Sequence, residues 1–106
     1  MTNPLAHRKL AVLGAGKMGG ILLRAFLDQK LVSPAHTAAT VRHAERAEVL
    51  AKQLGIRVST DNRTAARGAD VILLSVKPMQ MGEVLEEIRP EITPKTLVVS
   101  TAASVP

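Results

Sequence analysis

The stretch Leu10-Ala11-Val12-Leu13-Gly14-Ala15-Gly16-Lys17-Met18-Gly19-Gly20 decides how the rest of the chain is read. An apolar run passes directly into a glycine-rich turn, and a helical pattern begins behind it. The glycines fall as G-x-G-x-x-G at Gly14, Gly16 and Gly19. That spacing alone is a weak signal. With a strand before it and an amphipathic helix after it, it reads as a dinucleotide-binding turn. Gly14 permits the sharp bend, Gly16 lets backbone approach a pyrophosphate, and Gly19 lets the helix lie close to the strand. The N–H groups of the first helical turn would face the phosphates. Gly14, Ala15, Gly16, Lys17, Met18 and Gly19 are therefore the first candidate cofactor contacts.

On either side of this turn the pattern alternates. Arg8 to Leu13 reads as the first strand and Lys17 to Gln29 as a helix, with Met18, Ile21, Leu22, Ala25 and Phe26 on one apolar face. Thr37 to Val41 is a second strand, and Ala44 to Leu54 a helix with the stripe Ala47, Leu50, Ala51 and Leu54. Gly55 stands where a left-handed C-terminal cap belongs. Ile56 to Ser59 is a short third strand, and Asp61 and Asn62 are capping residues for a helical turn over Thr64 to Arg67. Val71 to Val76 is the strongest strand signal, ended by Lys77-Pro78. Met79 to Ile88 is helical, with Met81, Val84, Leu85 and Ile88 on one face, and Thr96 to Ser100 is a fifth strand. Strands alternating with helices predict an α/β fold, a Rossmann-like doubly wound parallel sheet in the order 3-2-1-4-5, with its ligand crevice at the carboxyl ends of strands 1 and 4.

Composition narrows the function. The 106 residues are expected to form one domain; 46% are hydrophobic and 22% charged. No apolar run approaches the roughly 20 residues of a membrane span. Residues 1–9 lack an apolar signal core, so a cytoplasmic protein with no membrane partner is expected. The absence of cysteine excludes disulfides and thiolate metal sites, and His7, His36 and His43 are too scattered for a metal centre. The net charge of +5 is dispersed, and Phe26 is the one aromatic residue. Without a stacking platform, nucleic acid is not the expected partner, and a phosphate-rich cofactor is.

The end of the second strand bears on which cofactor. An Asp or Glu there would bond the adenosine ribose hydroxyls. Here Thr40, Val41, Arg42 and His43 carry no carboxylate, and Arg42, with His43 and Arg46 nearby, suits a 2′-phosphate. NADP is expected over NAD, and NADPH over NADH. Ser75-Val76-Lys77-Pro78 closes the fourth strand at the crevice, where it could touch the nicotinamide ribose. Ser100 has no Asp–His pair at a suggestive place, and no catalytic residue is assigned.

The segments AVLGAGKMGG, LGIRVSTDN, ADVILLSVKP and LVVSTAASV, in this order and spacing, resemble the N-terminal domain of pyrroline-5-carboxylate reductase. That family reduces the C=N bond of 1-pyrroline-5-carboxylate with NAD(P)H, giving proline. The resemblance implies that residues 14 to 18 hold the pyrophosphate and that Arg42 and His43 lie near the adenosine ribose or its 2′-phosphate. It implies contact of Asn62 with the adenosine side, of Val76, Lys77 and Pro78 with the nicotinamide ribose, and of Ala102 and Ala103 with the nicotinamide. Ser104 stands where the family usually has glycine.

The family continues with further strands and a helical dimerisation domain that supplies much of the substrate pocket. Residues 1–106 are accordingly expected to be a dinucleotide-binding domain whose sheet is truncated after strand 5, binding cofactor with little or no turnover, in a homo-oligomer. Two other readings compete. One is another NADP-dependent oxidoreductase, such as a coenzyme F420-dependent NADP reductase or a hydroxyacid dehydrogenase relative. The other is a non-catalytic nucleotide-binding module.

Overall fold

A computed structural model describes residues 8–100, without the side chains of Lys17 and Met18. The elements run β1 (Leu10–Leu13), α1 (Lys17–Asp28), β2 (Thr37–Thr40), α2 (Ala44–Leu54), β3 (Arg57–Ser59), α3 (Asn62–Ala66), β4 (Val71–Leu74), α4 (Pro78–Ile88) and β5 (Leu97–Ser100). Single 3-10 turns at Pro34–His36 and Arg89–Glu91 lead into β2 and out of α4. The five strands are all parallel, in the order β3-β2-β1-β4-β5. This is the doubly wound arrangement the alternation predicts.

The central strands are buried on both faces, which is why they read as unbroken apolar runs. Leu10, Val12 and Leu73 face α1 and α2, where Leu23, Ala47 and Leu50 cover them. Ala11, Leu13, Ile72 and Leu74 face α3 and α4, against Ala65, Ala66, Val84 and Ile88. The stripes expected on α2 and α4 pack as read, except that Leu85 is exposed and Ala51 is half-buried outside either core cluster.

Helix α1 departs from its expected face. Ile21 is 65% exposed and Ala25 is also exposed, whereas Leu23 is fully buried. The face that packs is Gly19, Leu22, Leu23, Phe26 and Leu27, rotated by about one residue. Both faces have helical periodicity and share Leu22 and Phe26. The choice is made by Gly19, the one side-chain-free position that can sit against the turn after β4.

Boundaries shift in ways that matter to the crevice. Strand β4 ends at Leu74, two residues earlier than expected. Ser75 keeps one ladder bond, its N–H donating to the Leu13 carbonyl at 2.9 Å, and the chain then turns across the top of β1. Helix α3 begins at Asn62, earlier than expected, so Asp61 alone caps it. The Asp61 carboxylate accepts from the Arg63 and Thr64 N–H groups and from the Thr64 hydroxyl at 2.8 Å. These bonds, the Thr64 hydroxyl first, hold its carboxyl below the ordinary aspartate value of 3.8.

At the far edge, β5 alternates. Val98 packs toward α4, while Leu97 is 59% and Val99 42% exposed on the side of α1. No helix among the described residues is long and apolar enough to cross a membrane.

Candidate functional site

The carboxyl ends of β1, β2 and β4 open into a crevice. One lobe, a cavity of about 290 Å³, is lined by Gly14 to Gly16, by Val41 to His43 with Arg46, and by Ser75 to Lys77 with Gln80. A second lobe of about 280 Å³ shares Gly14, Val41, Arg42, Val76 and Gln80 with the first. It extends past Thr40, Thr60 and Asn62 to Glu83 and Glu87 of α4. The shared residues make these two ends of one site.

The glycine turn forms as its sequence requires. Gly14 has φ +77°, and a Cβ there would lie 2.6 Å from Val76 Cγ1 and 3.3 Å from the Ser75 backbone. A Cβ on Gly19 would meet the Ser75 Oγ at 3.0 Å and the Gly14 carbonyl oxygen at 3.3 Å. The close approach expected of Gly19 is thus made to the segment leaving β4 rather than to β1 itself. Beside Gly16, by contrast, a Cβ would meet nothing within 4 Å. Close packing therefore accounts for Gly14 and Gly19 but not for Gly16, whose exposed backbone lines the crevice.

Three helices start at this crevice, and none has a side-chain cap. Gly16 precedes α1, His43 precedes α2 and Lys77 precedes α4. In α4 the first position is Pro78, which lacks an N–H, and the Gln80 N–H donates to the Lys77 carbonyl at 2.9 Å, so α4 brings fewer free donors than α1 and α2. Orphan N–H groups and the positive ends of helix dipoles favour an anion. The side chains around the first lobe agree: Arg42, Arg46 and Lys77 line it, no carboxylate does, and no ion pair joins any of the three to a described residue.

A buried polar link holds the turn to the second lobe. Thr40, at the end of β2, is 2% exposed. Its carbonyl accepts from the Ala15 N–H at 2.6 Å, and its hydroxyl accepts from the Gly14 N–H at 3.0 Å. The same hydroxyl donates to Asn62 Oδ1 at 2.6 Å.

The candidates read from sequence converge here. Gly14, Ala15, Gly16, Arg42, His43, Asn62, Val76 and Lys77 all line one or other lobe. The backbone of Lys17 and Met18 lies in the first turn of α1, Gly19 packs beneath it, and Pro78 opens α4 beside the site. Ala102 and Ala103 lie outside the described residues. Thr40, Thr60, Gln80, Glu83 and Glu87 were not legible as site residues. Thr40 reads as an ordinary β-former, and the three α4 residues occupy the polar side of an amphipathic helix. The i, i+3, i+7 spacing of Gln80, Glu83 and Glu87 is the signal that places them on one face.

Residues 9–104 match the family model described as NADP oxidoreductase, coenzyme F420-dependent. The pyrroline-5-carboxylate reductase of Methanosarcina acetivorans is 38% identical over 102 residues, which cover 96% of this chain and 38% of that protein. Among solved structures, a pyrroline-5-carboxylate reductase from Coxiella burnetii superposes with a TM-score of 0.81 at 28% identity, over 88% of this chain and 34% of that one. An imine reductase from Myxococcus stipitatus in complex with NADP+ superposes at 0.70 with 30% identity, over 88% of this chain and 32% of that one. The chain thus spans somewhat more than a third of the length of the curated relative. With a family match over nearly its whole length and the sheet, turn and crevice described above, the chain belongs to the coenzyme F420-dependent NADP oxidoreductase family.

Proposed function

We propose that this chain is the cofactor-holding domain of a pyrroline-5-carboxylate reductase, acting in proline biosynthesis. The observation that carries the reading is the crevice itself: three uncapped helix starts and the side chains of Arg42, Arg46 and Lys77 around a glycine turn with an open face at Gly16. The residues fit a dinucleotide. The N–H groups of α1 and the Gly14–Gly16 backbone would hold the pyrophosphate. Arg42, with His43 and Arg46 beside it, would take a 2′-phosphate, which favours NADPH over NADH. Asn62 would face the adenosine half, and Val76, Lys77 and Pro78 the nicotinamide ribose; Ala102 and Ala103 are assigned to the nicotinamide by family resemblance.

When bound, the cofactor supplies a hydride. The overall change adds that hydride to the carbon of the substrate's C=N bond and a proton to the nitrogen. This chain's part is to fix and orient the cofactor, which is what a protein chiefly contributes to such transfer. The matched relative is much longer than the chain, and the 106 residues alone are expected to bind NADPH with little or no turnover. The exposed Leu97 and Val99 on the edge strand β5 favour an apolar partner, either a second copy, the proposed homo-oligomer, or a further part of a longer protein.

Titration of the chain with NADPH and NADH, repeated on Arg42→Ala, tests the reading. A lost charge-assisted pair lowers the NADPH-to-NADH affinity ratio by about tenfold or more. An unchanged ratio overturns the 2′-phosphate role, and failure to bind either nucleotide overturns the whole reading. The family match favours one second reading, hydride exchange between NADP and coenzyme F420. Turnover of that deazaflavin, and not of pyrroline-5-carboxylate, by a protein containing this chain would establish it.

A further inference from the structure

We infer that Thr40 is a positioning residue of the nucleotide crevice, fixing which face of the Asn62 amide meets the ligand. The inference rests on the nucleotide reading above and adds a residue to it.

Thr40 Oγ1 lies 3.0 Å from the Gly14 backbone nitrogen. A backbone N–H can only donate, so the hydroxyl oxygen accepts there. The hydroxyl has one proton of its own, and with Thr40 only 2% exposed that proton goes to a protein acceptor. Among the described residues the recorded neighbour for that proton is Asn62, at 2.6 Å. A group receiving a proton must present an acceptor, so the carbonyl Oδ1 of Asn62 faces Thr40. Its NH2 group is thereby turned the other way. Asn62 lines the second lobe, together with Arg42 and Thr60. There the amide offers donors, which suit an acceptor oxygen of the adenosine half. Reversed, the amide would present a carbonyl oxygen, which cannot donate to that acceptor.

The chain of bonds also ties two parts of the site that are far apart in sequence. The Gly14 N–H belongs to the turn that would hold the pyrophosphate, and Asn62 begins α3, 22 residues beyond Thr40. A buried hydroxyl between them holds the turn and the amide in one register.

The test measures NADPH affinity of the 106-residue chain for Thr40→Val, Thr40→Ser, Asn62→Ala and the Thr40→Val/Asn62→Ala double variant, with thermal unfolding of each. Valine keeps the shape and removes the hydroxyl; serine keeps the hydroxyl. Thr40→Val is expected to weaken NADPH about three- to tenfold, and Thr40→Ser less than twofold. With Asn62 already removed, Thr40→Val should cost clearly less than in the parent chain, because the share of its effect that runs through that amide is gone and only the share through the Gly14 N–H remains. A merely structural role would make the Thr40 and Asn62 effects additive and would make affinity follow the unfolding temperature. Either result overturns the inference, as does full NADPH affinity in Thr40→Val. If Thr40→Val does not fold, Thr40→Ser and Asn62→Ala still decide: loss of affinity in the serine variant comparable to that in Asn62→Ala refutes a role for the hydroxyl. If the unsubstituted chain does not bind NADPH, the nucleotide reading fails and this inference with it. If it binds and Thr40→Val binds equally, this inference alone fails.

Discussion

Replacing Gly14 and Gly16 separately by alanine should separate folding from binding. At Gly14 two costs combine. An L-residue at φ +77° costs about 1–2 kcal/mol. The new methyl would also lie 2.6 Å from Val76 Cγ1, where ordinary contact begins at 3.4 Å, and 3.3 Å from Ser75 backbone that cannot simply rotate away. Overpacking of this kind costs about 1–3 kcal/mol, so Gly14→Ala should lose about 2–5 kcal/mol. At Gly16 φ is negative and a Cβ meets nothing, so only the cost of alanine at a helix N-cap remains, about 1 kcal/mol. The same methyl projects where the pyrophosphate backbone contact is proposed, and NADPH affinity should fall about tenfold or more. The chain has no Trp or Tyr, so unfolding in urea is best followed by far-ultraviolet circular dichroism. Adding Val76→Ala to Gly14→Ala should recover part of the loss by removing the overlap and leaving the backbone cost. An unfolding midpoint for Gly14→Ala equal to that of the unsubstituted chain refutes the reasoning. So does a Gly16→Ala variant that loses as much stability as Gly14→Ala.

Three further outcomes follow from the packing. Leu23→Ala should cost about 2–5 kcal/mol and Ile21→Ala no more than about 0.5, since Leu23 is fully buried and Ile21 is 65% exposed; equal losses would mean α1 packs on its other face. Asp61→Asn should lower the melting temperature at neutral pH. Because the folded-state pKa of Asp61 lies below 3.8, its contribution is present above that value and is lost as pH falls through the folded pKa. The gap between variant and parent should therefore close under acid, and a gap that widens would contradict the cap assignment. Leu97→Lys with Val99→Lys should shift any self-associated species toward monomer in sedimentation velocity; a parent chain that is already monomeric at high concentration sinks the proposed association.

The topology was readable because each central strand is an apolar run closed by glycine, proline or a polar turn, and because helices fill the intervals. The glycine roles were readable too, since only certain backbone geometries call for glycine at that spacing. What periodicity could not resolve was the rotation of α1. Met18, Ile21, Leu22, Ala25 and Phe26 make as good a stripe as Gly19, Leu22, Leu23, Phe26 and Leu27. A glycine scores as no hydrophobe at all, yet Gly19 is the residue that seats the helix. Thr40 was hidden for a related reason. Its β-branched side chain suits a strand, and nothing local says that its hydroxyl is shared between residues 26 positions before it and 22 after it. Arg42 was found because the missing strand-end acid is a local fact. The acidic far wall at Glu83 and Glu87 was not, because it exists only once α4 is laid beside α3.

The uncapped starts of α1, α2 and α4 make the thermodynamics of this chain open-ended. A protein that caps its helices with its own side chains carries that stability wherever it goes. If the crevice takes the phosphate groups proposed above, the free donors at these helix starts are completed from solution, and the folded state has not one unfolding free energy but a family of them, indexed by the free concentration of the bound anion. A ligand at one hundred times its dissociation constant adds about 2.7 kcal/mol. The melting temperature of this chain is then itself a binding isotherm. Phosphate, pyrophosphate and adenosine bisphosphate can be ranked by how far each raises it, and the crevice dissected group by group before any hydride moves.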